Sequence, residues 1–439
     1  MEKAYEVKNI NDSLLQERIN NKKLKIIGIT GSRGKSSTAY ILFKYLKSIN
    51  IRVSMYSSIG IYSLGSIYKQ GDAVENPMRS MNMVKNALSE SLNNNTQVLI
   101  LEVNEEAIDK GLTKDIPFTI RALTTIIPKQ NDVLYPNYVN LKKTFFREAS
   151  KDTTFVMSLI DKDLIDLYEE IKDCNVITYT TNYLKKAREV LFDVDYLIDS
   201  NEDKFDSIAG ITFTLQDNFK QDKYVIDSNL LMPYSALNIT CAVAIINALE
   251  LFDLDKFKKV VSNIVIPGRD EVINVNKHEK VIVSLNLVPQ LEILKKYQER
   301  GEIGKLIVVT GSTGLGFKSW DRRFSMELLT LDKEKSIDFA FKYINKYADY
   351  VFITTSDKGD ILTPFIELEK KVTKDKETAH FYLDRKEAIK KAIDIENDDD
   401  KINVIFISGR GNRSVMCLEN GEISSFNDID EVKNIIGDK

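Results

Sequence analysis

Histidine, cysteine and tryptophan are scarce in this sequence, which has two histidines, three cysteines and one tryptophan among 439 residues. His278 and His380 both lie in charged stretches, which leaves almost no basis for a Ser-His-Asp triad or a His-rich metal site. The three cysteines are widely spaced and form no C-x-x-C pair, which argues against a disulfide framework and a structural zinc site. We expect all three to be buried small apolar side chains: Cys174, Cys241 and Cys417.

The sequence also lacks a surplus of either charge and any long apolar run. Its 61 basic and 65 acidic residues give a net charge of −4, so we expect no nucleic-acid partner. No apolar run approaches the roughly 20 residues of a membrane span. The first residues include acids and no apolar block, unlike a secretory signal or a transit peptide, so we expect a cytoplasmic protein.

Short apolar runs alternate with helix-length segments, and this alternation predicts an α/β fold with a mostly parallel sheet. A length of 439 residues suits about three domains, or two large ones. Residues 192–231 differ, because short alternating pieces with Asp, Asn and Gly turns predict antiparallel hairpins. The α/β pattern restarts after Arg269, where we place a domain boundary. Strands are predicted at 25–29, 98–103, 122–127, 154–159, 176–179, 281–285, 306–310, 350–354 and 404–407, and helices at 36–49 and 237–252.

The most informative segment is Lys25–Ser37, which has the pattern of a strand, a glycine-rich turn and the start of a helix. In such a turn successive N–H groups point inward, and the helix N-terminus adds positive potential for a phosphate. Lys35 can reach the β- and γ-phosphates of ATP, and the Ser36 hydroxyl can bind Mg²⁺. The strict G-x-x-x-x-G-K-[ST] template is not met, because its first glycine would fall at Ile29. The alternative is a chance Gly-Lys-Ser sequence at a strand–helix turn.

A nucleotide site of this kind needs an acidic residue at the end of a neighbouring strand to hold the metal. Glu102 meets this need, since it ends the apolar run that begins at Val98. A buried carboxylate requires a cation or a hydrogen-bond donor, and a structural salt bridge is the alternative. Asp357 ends a strand in the second half, where there is no phosphate loop, and we expect it to contact a polar group of a substrate.

These residues resemble the Mur ligases, ATP-dependent enzymes that form amide bonds in peptidoglycan synthesis, with relatives such as folylpolyglutamate, cyanophycin and poly-γ-glutamate synthases. Gly28–Ser37 is similar to the family's G-x-T-G-T-N-G-K-T-T loop, and Arg33 makes it closer to the poly-γ-glutamate branch. Leu101–Val103 resembles the metal-binding M-E-V strand. Further segments resemble family motifs in the family's order: Tyr138–Phe146, Leu237–Ile239, Pro267–Glu271, Thr355–Asp357, Asp384–Ile389 and Gly409–Gly411.

The resemblance implies a central P-loop nucleotide-binding domain at residues 25–268 and a Rossmann-like α/β domain at 269–439. Residues 1–24 would form a short N-terminal segment without a full UDP-sugar domain. ATP and Mg²⁺ are the implied cofactors. The residues that the resemblance assigns to the nucleotide and to the first Mg²⁺ are Gly31, Ser32, Arg33, Gly34, Lys35, Ser36, Ser37, Glu102, Asn238 and Arg269.

The resemblance also implies a second metal site and a substrate site. A carbamylated Lys142 and Gln130 would hold the second Mg²⁺ and orient the substrate carboxylate. The alternative for Lys142 is a plain surface lysine on an amphipathic helix. The residues expected to bind substrate are Arg322, Asp357, Lys358 and Arg410. Arg322 belongs to a glycine-rich piece at 310–323, for which a flexible surface turn is the alternative.

Several positions depart from the family's motifs. Thr124–Gln130 stands where the family has T-N-h-x-x-D-H, so that Gln130 replaces a metal-binding histidine. Ser284–Pro289 has lost the charged and aromatic members of D-Y-A-H-x-P. Lys358–Asp360 replaces the N-P-R that binds diaminopimelate, so we expect a different amine, and the short segment up to Leu24 makes a UDP-MurNAc-peptide an unexpected substrate.

The function implied is an ATP-dependent ligase that joins a small-molecule carboxylate to an amino acid or amine through an acyl phosphate. Such chemistry depends on positioning and charge neutralisation, which fits a chain with two histidines. Two alternatives stay open: a polymerising ligase of the poly-γ-glutamate kind, and a non-catalytic nucleotide-binding scaffold or subunit. For the oligomeric state, a homodimer and a complex with a separate partner subunit are both alternatives.

Overall fold

The computed structural model of the chain describes residues 12–63, 66–69, 78, 80–127, 137–150, 152–182, 194–200, 205–311, 326–356, 363–396, 400–417 and 423–437.

Twelve strands of the described chain form one large sheet. They are β1 (Lys25–Thr30), β2 (Val53–Ser57), β3 (Gly60–Ser63), β4 (Ser66–Lys69), β5 (Val98–Glu102), β6 (Ile120–Leu123), β7 (Thr154–Ser158), β8 (Val176–Thr181), β9 (Tyr196–Asp199), β10 (Asp206–Ser207), β11 (Gly210–Asp217) and β12 (Asp222–Ser228). The order is β10-β11-β9-β8-β7-β6-β1-β5-β2-β3-β4, with β12 on β11. The strands from β9 to β2 along this order all pair in parallel, and β11 joins β9 in the antiparallel direction.

The register of the central strands brings the functional residues to one edge of the sheet. Ile29 of β1 is paired with Glu102 of β5, and Thr30 of β1 is paired with Leu123 of β6. The carboxyl ends of three parallel strands therefore meet where β1 ends. In open α/β sheets this edge is where ligands bind.

Helices cover both faces of this sheet. They are α1 (Asp12–Asn21), α2 (Lys35–Ser48), α3 (Met81–Asn93), α4 (Glu105–Asp109), α5 (Tyr138–Arg147), α6 (Lys162–Ile171), α7 (Ser235–Ala248) and α8 (Leu254–Val261). Ile27 and Ile29 of β1 face the core that includes α2, α7 and α8, whereas Ile26 faces the core that includes α3, α5 and α6. This alternation is that of a strand buried on both faces, and it explains why β1 has no polar side chain between Lys25 and Thr30.

A second sheet of six strands lies in the C-terminal part of the described chain. Its strands are β13 (Glu271–Asn276), β14 (Glu279–Ser284), β15 (Ile303–Thr310), β16 (Tyr350–Ile353), β17 (Ala379–Phe381) and β18 (Ile402–Ser408), in the order β13-β14-β18-β15-β16-β17. Helices α9 (Val288–Glu299), α10 (Met326–Tyr347) and α11 (Thr363–Val372) cover one face, and α12 (Arg385–Ile393) and α13 (Asp428–Gly437) cover the other. The strands β19 (Val415–Cys417) and β20 (Ile423–Ser425) form a separate hairpin.

The α/β class is confirmed, and most strands and helices lie close to their predicted bounds. The strand predicted at 122–127 instead runs over Ile120–Leu123, and the helix predicted at 237–252 runs over Ser235–Ala248. The first predicted helix runs over Lys35–Ser48, and the predicted hairpins appear in the antiparallel pairing of β11 with β12. The proposed limits at residues 24/25 and 268/269 stay predictions. None of the described helices combines the length and the apolar character that crossing a membrane requires.

The cysteine prediction is partly wrong. Cys241 is buried within α7, as expected, but Cys174 is exposed. Cys174 lies in the turn between α6 and β8, where the chain passes over the surface. The wide spacing of the cysteines argues against disulfides, but it does not predict whether each side chain is buried. The side chain of Cys417 lies outside the part of the structure that can be described.

Candidate active site

The glycine-rich turn Gly31–Gly34 leaves the carboxyl end of β1 and leads directly into α2. Gly31 has a φ of 140° and Gly34 a φ of 87°, conformations that glycine adopts far more readily than other residues. Gly34 is the N-cap of α2, and no side chain caps this end of the helix. The first N–H groups of α2 therefore present the positive end of the helix dipole to the turn, which is the arrangement that binds phosphate.

The segment that follows β6 shapes the turn. The Ser32 N–H donates to the carbonyl of Thr125 at 2.7 Å, and the Arg33 N–H donates to Thr125 Oγ1 at 3.1 Å. Thr124 Oγ1 donates to the Arg33 carbonyl at 2.5 Å, and the Tyr138 hydroxyl donates to Ser32 Oγ at 3.1 Å. These bonds fix the turn from outside, so its shape does not depend on a ligand.

Lys35 and Ser36 lie side by side at the start of α2. The Lys35 ammonium donates to the Gly31 carbonyl at 2.8 Å, which folds the side chain back across the turn. Ser36 Oγ donates to Glu102 Oε1 at 3.0 Å and lies 2.8 Å from Ser58 Oγ. The Lys35 ammonium, predicted to bind phosphate, and the Ser36 and Glu102 oxygens, predicted to bind Mg²⁺, therefore lie at the same end of the sheet.

Glu102 is buried at the end of β5, and its carboxylate points towards the turn. Besides Ser36, it accepts a hydrogen bond at 2.8 Å from the Ser58 N–H. These contacts are hydrogen bonds from a hydroxyl and an amide, as expected for a carboxylate that can also bind a cation. Ser58 directly follows β2, so three parallel strands contribute their carboxyl ends to the arrangement.

Arg269 reaches the same place from the junction between the two sheets. Its Nη2 donates to Ser58 Oγ at 3.0 Å, and its Nη1 donates to Asn412 Oδ1 at 3.0 Å. Burial lowers the pKa of Arg269, and the carboxylates of Glu102 and Asp270 act in the opposite direction. Because an arginine keeps its charge in proteins, the guanidinium adds a positive charge beside Ser58 and Glu102.

Lys142 is fully buried, so its alternative assignment as a plain surface lysine is wrong. Its ammonium donates to Thr30 Oγ1 at 3.2 Å and to Glu105 Oε2 at 3.1 Å, and it lies 5.5 Å from the centre of the Tyr138 ring. Thr30 is the last residue of β1, so Lys142 lies immediately behind the glycine-rich turn. Its α5 neighbour Lys143 is also buried, which the amphipathic pattern of the helix does not predict.

A cavity of about 690 Å³ lies between the two sheets, in front of the glycine-rich turn, and neither Gly31 nor Lys142 is among the residues that line it. Asn238, at the start of α7, is buried and lines the same cavity beside the turn. Leu237, Phe205 and Ile293 supply apolar wall. The predicted residues that line this cavity are Ser32, Arg33, Gly34, Lys35, Ser36, Ser37, Glu102, Asn238 and Arg269.

The sequence did not indicate four further lining residues: Ser58, Tyr234, Asp270 and Gln290. Ser58 could have been found from its place after a parallel strand. Asp270 follows Arg269 in the motif of the junction, and its carboxylate accepts hydrogen bonds from Tyr234 at 2.6 Å and Gln290 Nε2 at 3.1 Å. Burial raises the pKa of Asp270, and the same hydrogen bonds oppose that rise.

Arg410 does not take the expected substrate-binding position. It is fully buried, and its guanidinium donates to the carbonyls of Ser356, Val415 and Phe426. These three bonds connect the segment that follows β16 to both ends of the hairpin of β19 and β20. The other predicted residues Gln130, Arg322, Asp357 and Lys358 lie outside the described residues.

Replacing Gly34 with alanine is expected to abolish tight nucleotide binding. A Cβ atom at this position would lie 2.3 Å from Asn238 Oδ1, on a backbone with a φ of 87°. Calorimetric titration with Mg·ADP measures the loss, and urea unfolding measures the strain, which is about 1–2 kcal/mol.

Gly301→Ala is the matched control for this substitution, because Gly301 has a φ of 80° and a Cβ there would meet nothing within 4 Å. It should show similar strain and unchanged nucleotide affinity. Equal affinities for Mg·ADP in the two variants would contradict the placement of the nucleotide at this turn.

Comparisons of the sequence with known proteins relate this chain to the Mur ligases. Residues 29–246 match the Mur ligase middle domain. The UDP-N-acetylmuramyl-tripeptide synthetase of Borreliella afzelii is 26% identical over 434 residues, which cover 95% of this chain and 77% of that protein. The UDP-N-acetylmuramoyl-L-alanyl-D-glutamate–2,6-diaminopimelate ligase of Buchnera aphidicola is 25% identical over 426 residues, which cover 94% and 76%.

The fold has the same relatives. The crystal structure of the MurF ligase from Thermotoga maritima in complex with ADP superposes with a TM-score of 0.61 at 15% identity, covering 97% of this chain and 82% of that one. A likeness at this identity establishes the fold, and the matched middle domain contains the glycine-rich turn and Glu102. The chain therefore belongs to the Mur ligase family, whose members are ATP-dependent ligases that form amide bonds.

Proposed function

We propose that this chain joins a carboxylate to an amino acid or amine through an acyl phosphate. A carboxylate oxygen attacks the γ-phosphorus of ATP, and the bond between that phosphorus and the bridging oxygen breaks to release ADP. The amine then attacks the acyl carbon, loses a proton and displaces phosphate. One observation carries the proposal: Lys35, Ser36, Glu102 and Arg269 converge on one cavity at the carboxyl edge of a parallel sheet.

The charges around the turn support phosphoryl transfer. The Lys35 ammonium and the first N–H groups of α2 would bind the β- and γ-phosphates, and the Arg269 guanidinium would contact the nucleotide from the junction. Asn238 is placed beside Gly34, where the base and ribose would continue from the phosphates. Fixed donors of this kind stabilise developing charge without having to reorganise during the reaction.

The oxygen donors at the turn fit Mg²⁺. Ser36 Oγ and Glu102 Oε1 lie 3.0 Å apart at the edge of the cavity, and hydroxyl and carboxylate oxygens are ligands that Mg²⁺ prefers. We propose that these two residues hold it. When bound there, Mg²⁺ neutralises charge on the β- and γ-phosphates.

Lys142 and Gln130 are proposed to act on the substrate carboxylate, Lys142 as a carbamate. Lys142 lies behind Thr30, which supports a role next to the γ-phosphate. Its ammonium must lose a proton and give up its hydrogen bond to Glu105 before the neutral amine can react with CO₂. Loss of turnover in Lys142→Ala, together with a bicarbonate requirement of the wild type, tests this role.

The amine is proposed to differ from diaminopimelate, because Lys358, Gly359 and Asp360 replace the N-P-R of the family motif. The relatives named above act on UDP-muramyl peptides, and the acid used by this chain is proposed more broadly as a small-molecule carboxylate. The polymerising reaction is a second candidate, favoured by Arg33 in the glycine-rich turn.

Phosphate release in the presence of ATP, Mg²⁺ and pools of acids and amino acids tests the function, with mass spectrometry of the products. A single new amide supports the simple ligase, and a ladder of masses supports the polymerising one. Binding of ATP without release in any combination would instead favour the non-catalytic scaffold. Light scattering of the same sample distinguishes a homodimer from a monomer.

Glu102→Gln is expected to lower the rate of phosphate release about 10²–10³-fold, because it removes the negative charge from a proposed Mg²⁺ ligand while keeping its shape. The Mg²⁺ concentration needed for half-maximal rate should rise as well. Glu169→Gln, on the exposed side of α6, is the control and should leave both quantities unchanged. An unaltered Mg²⁺ requirement in Glu102→Gln would remove this residue from the metal site.

A further inference from the structure

Asp270 has a backbone conformation that few non-glycine residues adopt. Its φ is 55°, in the left-handed region that non-glycine residues rarely occupy, and it directly follows Arg269. Residues 267–271 resemble the family motif P-G-R-M-E, and this chain has a carboxylate where that motif has a methionine. A strained residue persists where its surroundings hold it, and such residues cluster at functional sites.

The carboxylate of Asp270 joins both halves of the cavity. Tyr234, which precedes α7, donates to Oδ2 at 2.6 Å, and Gln290 of α9 donates to Oδ1 at 3.1 Å. Gln290 Nε2 also lies 2.8 Å from the Tyr234 hydroxyl, and Gln290 is 1% exposed. The three side chains therefore form one partly buried network in the cavity wall, between the first sheet's helices and the second sheet's helices, where hydrogen bonds to a charged group are strong.

The network continues to the proposed phosphate site through Arg269. The backbone of Asp270 fixes the position from which the Arg269 side chain extends to Ser58 Oγ at 3.0 Å. Ser58 in turn contacts Glu102 through its N–H at 2.8 Å. Three hydrogen bonds therefore connect α9 and the residue before α7 to Asp270, and a peptide bond connects Asp270 to Arg269.

We propose that Asp270 is a positioning residue: together with Tyr234 and Gln290 it sets the two halves of the cavity relative to each other and so places Arg269 on the nucleotide. This inference rests on the proposed function, because it assumes that ATP binds in the cavity. It assigns to Asp270 no contact with the reacting atoms.

Two substitutions separate the carboxylate from the backbone. Asp270→Gly removes the carboxylate and adopts a φ of 55° without strain, so relief of the backbone offsets part of the stability lost with the hydrogen bonds, and urea unfolding checks that the variant folds. Tyr234→Phe removes one donor and keeps the ring. Each should weaken Mg·ADP binding about tenfold in calorimetric titration and raise the KM for ATP more than it lowers kcat. The double variant should be no weaker than Asp270→Gly alone, because the pair acts as a unit.

Glu250→Gly is the control for the backbone change, since Glu250 is exposed and has a φ of 61°. It should leave nucleotide affinity unchanged. Asp270→Asn keeps an acceptor for Tyr234 and should recover part of the affinity that Asp270→Gly loses. Unchanged Mg·ADP affinity in Asp270→Gly would overturn the inference, and so would losses that multiply in the double variant. If the wild-type protein still releases phosphate from ATP, the proposed function is unaffected by either result. A wild type that does not bind Mg·ADP would instead overturn both.

Discussion

Replacing Lys35 with alanine is expected to lower the rate of ATP-dependent phosphate release by about 10²–10³-fold. The Lys35 ammonium lies at the glycine-rich turn, 2.8 Å from the Gly31 carbonyl, where the β- and γ-phosphates would bind. During phosphoryl transfer the charge spreads over the oxygens of the transferred group, and a fixed cation at this place stabilises it. Initial rates of phosphate release at saturating ATP measure the effect.

Lys44→Ala is the control for Lys35→Ala, because Lys44 lies on the same helix, α2, and is exposed. Both variants should retain the urea midpoint of the wild type within the error of the measurement. If Lys35→Ala kept the wild-type rate, the glycine-rich turn could not be the phosphate site, and the reaction would have to be placed elsewhere in the cavity.

Asp428→Ala is expected to have the largest effect on stability, about 3–5 kcal/mol of unfolding free energy. Arg385 donates to Asp428 through Nε at 2.7 Å and through Nη2 at 2.8 Å, and both side chains are fully buried. Without the carboxylate, the guanidinium would remain in the core as an uncompensated charge. Urea unfolding, followed by circular dichroism, measures the loss.

The exposed pair of Arg147 and Glu170 provides the comparison. Its geometry is similar, with a closest distance of 2.6 Å, but the two side chains are 38% and 40% exposed. Water screens such a pair, so Glu170→Ala should lower the unfolding free energy by no more than about 1 kcal/mol. Equal losses in Asp428→Ala and Glu170→Ala would show that burial does not control the strength of these ion pairs.

The parts of the site that could be predicted are those that the chain encodes locally. The turn Gly31–Gly34 follows an apolar strand and precedes a helix within a dozen residues, and the pattern alone indicates its geometry. Glu102 was predictable because one acid at the end of an apolar run must meet a partner at the strand's carboxyl edge. In both cases the residues that determine the structure are neighbours in the sequence.

The remaining features depend on contacts between distant segments. The burial of Lys142 arises because α5 packs against the end of β1, where Thr30 and Glu105 satisfy its ammonium. Arg410 was assigned to the substrate because its motif resembles a binding loop, but the hairpin of β19 and β20 covers it. The network around Asp270 combines three segments of the chain, so no local pattern could reveal it.

The bond between the Lys35 ammonium and the Gly31 carbonyl has a consequence for selectivity. An incoming molecule must compete with a neutral oxygen of the protein itself for that cation. A neutral molecule offers the Lys35 ammonium an acceptor no stronger than the Gly31 carbonyl. An anion offers a stronger one, because its oxygens carry negative charge. The turn therefore selects a ligand by its negative charge first and by the shape of its base second.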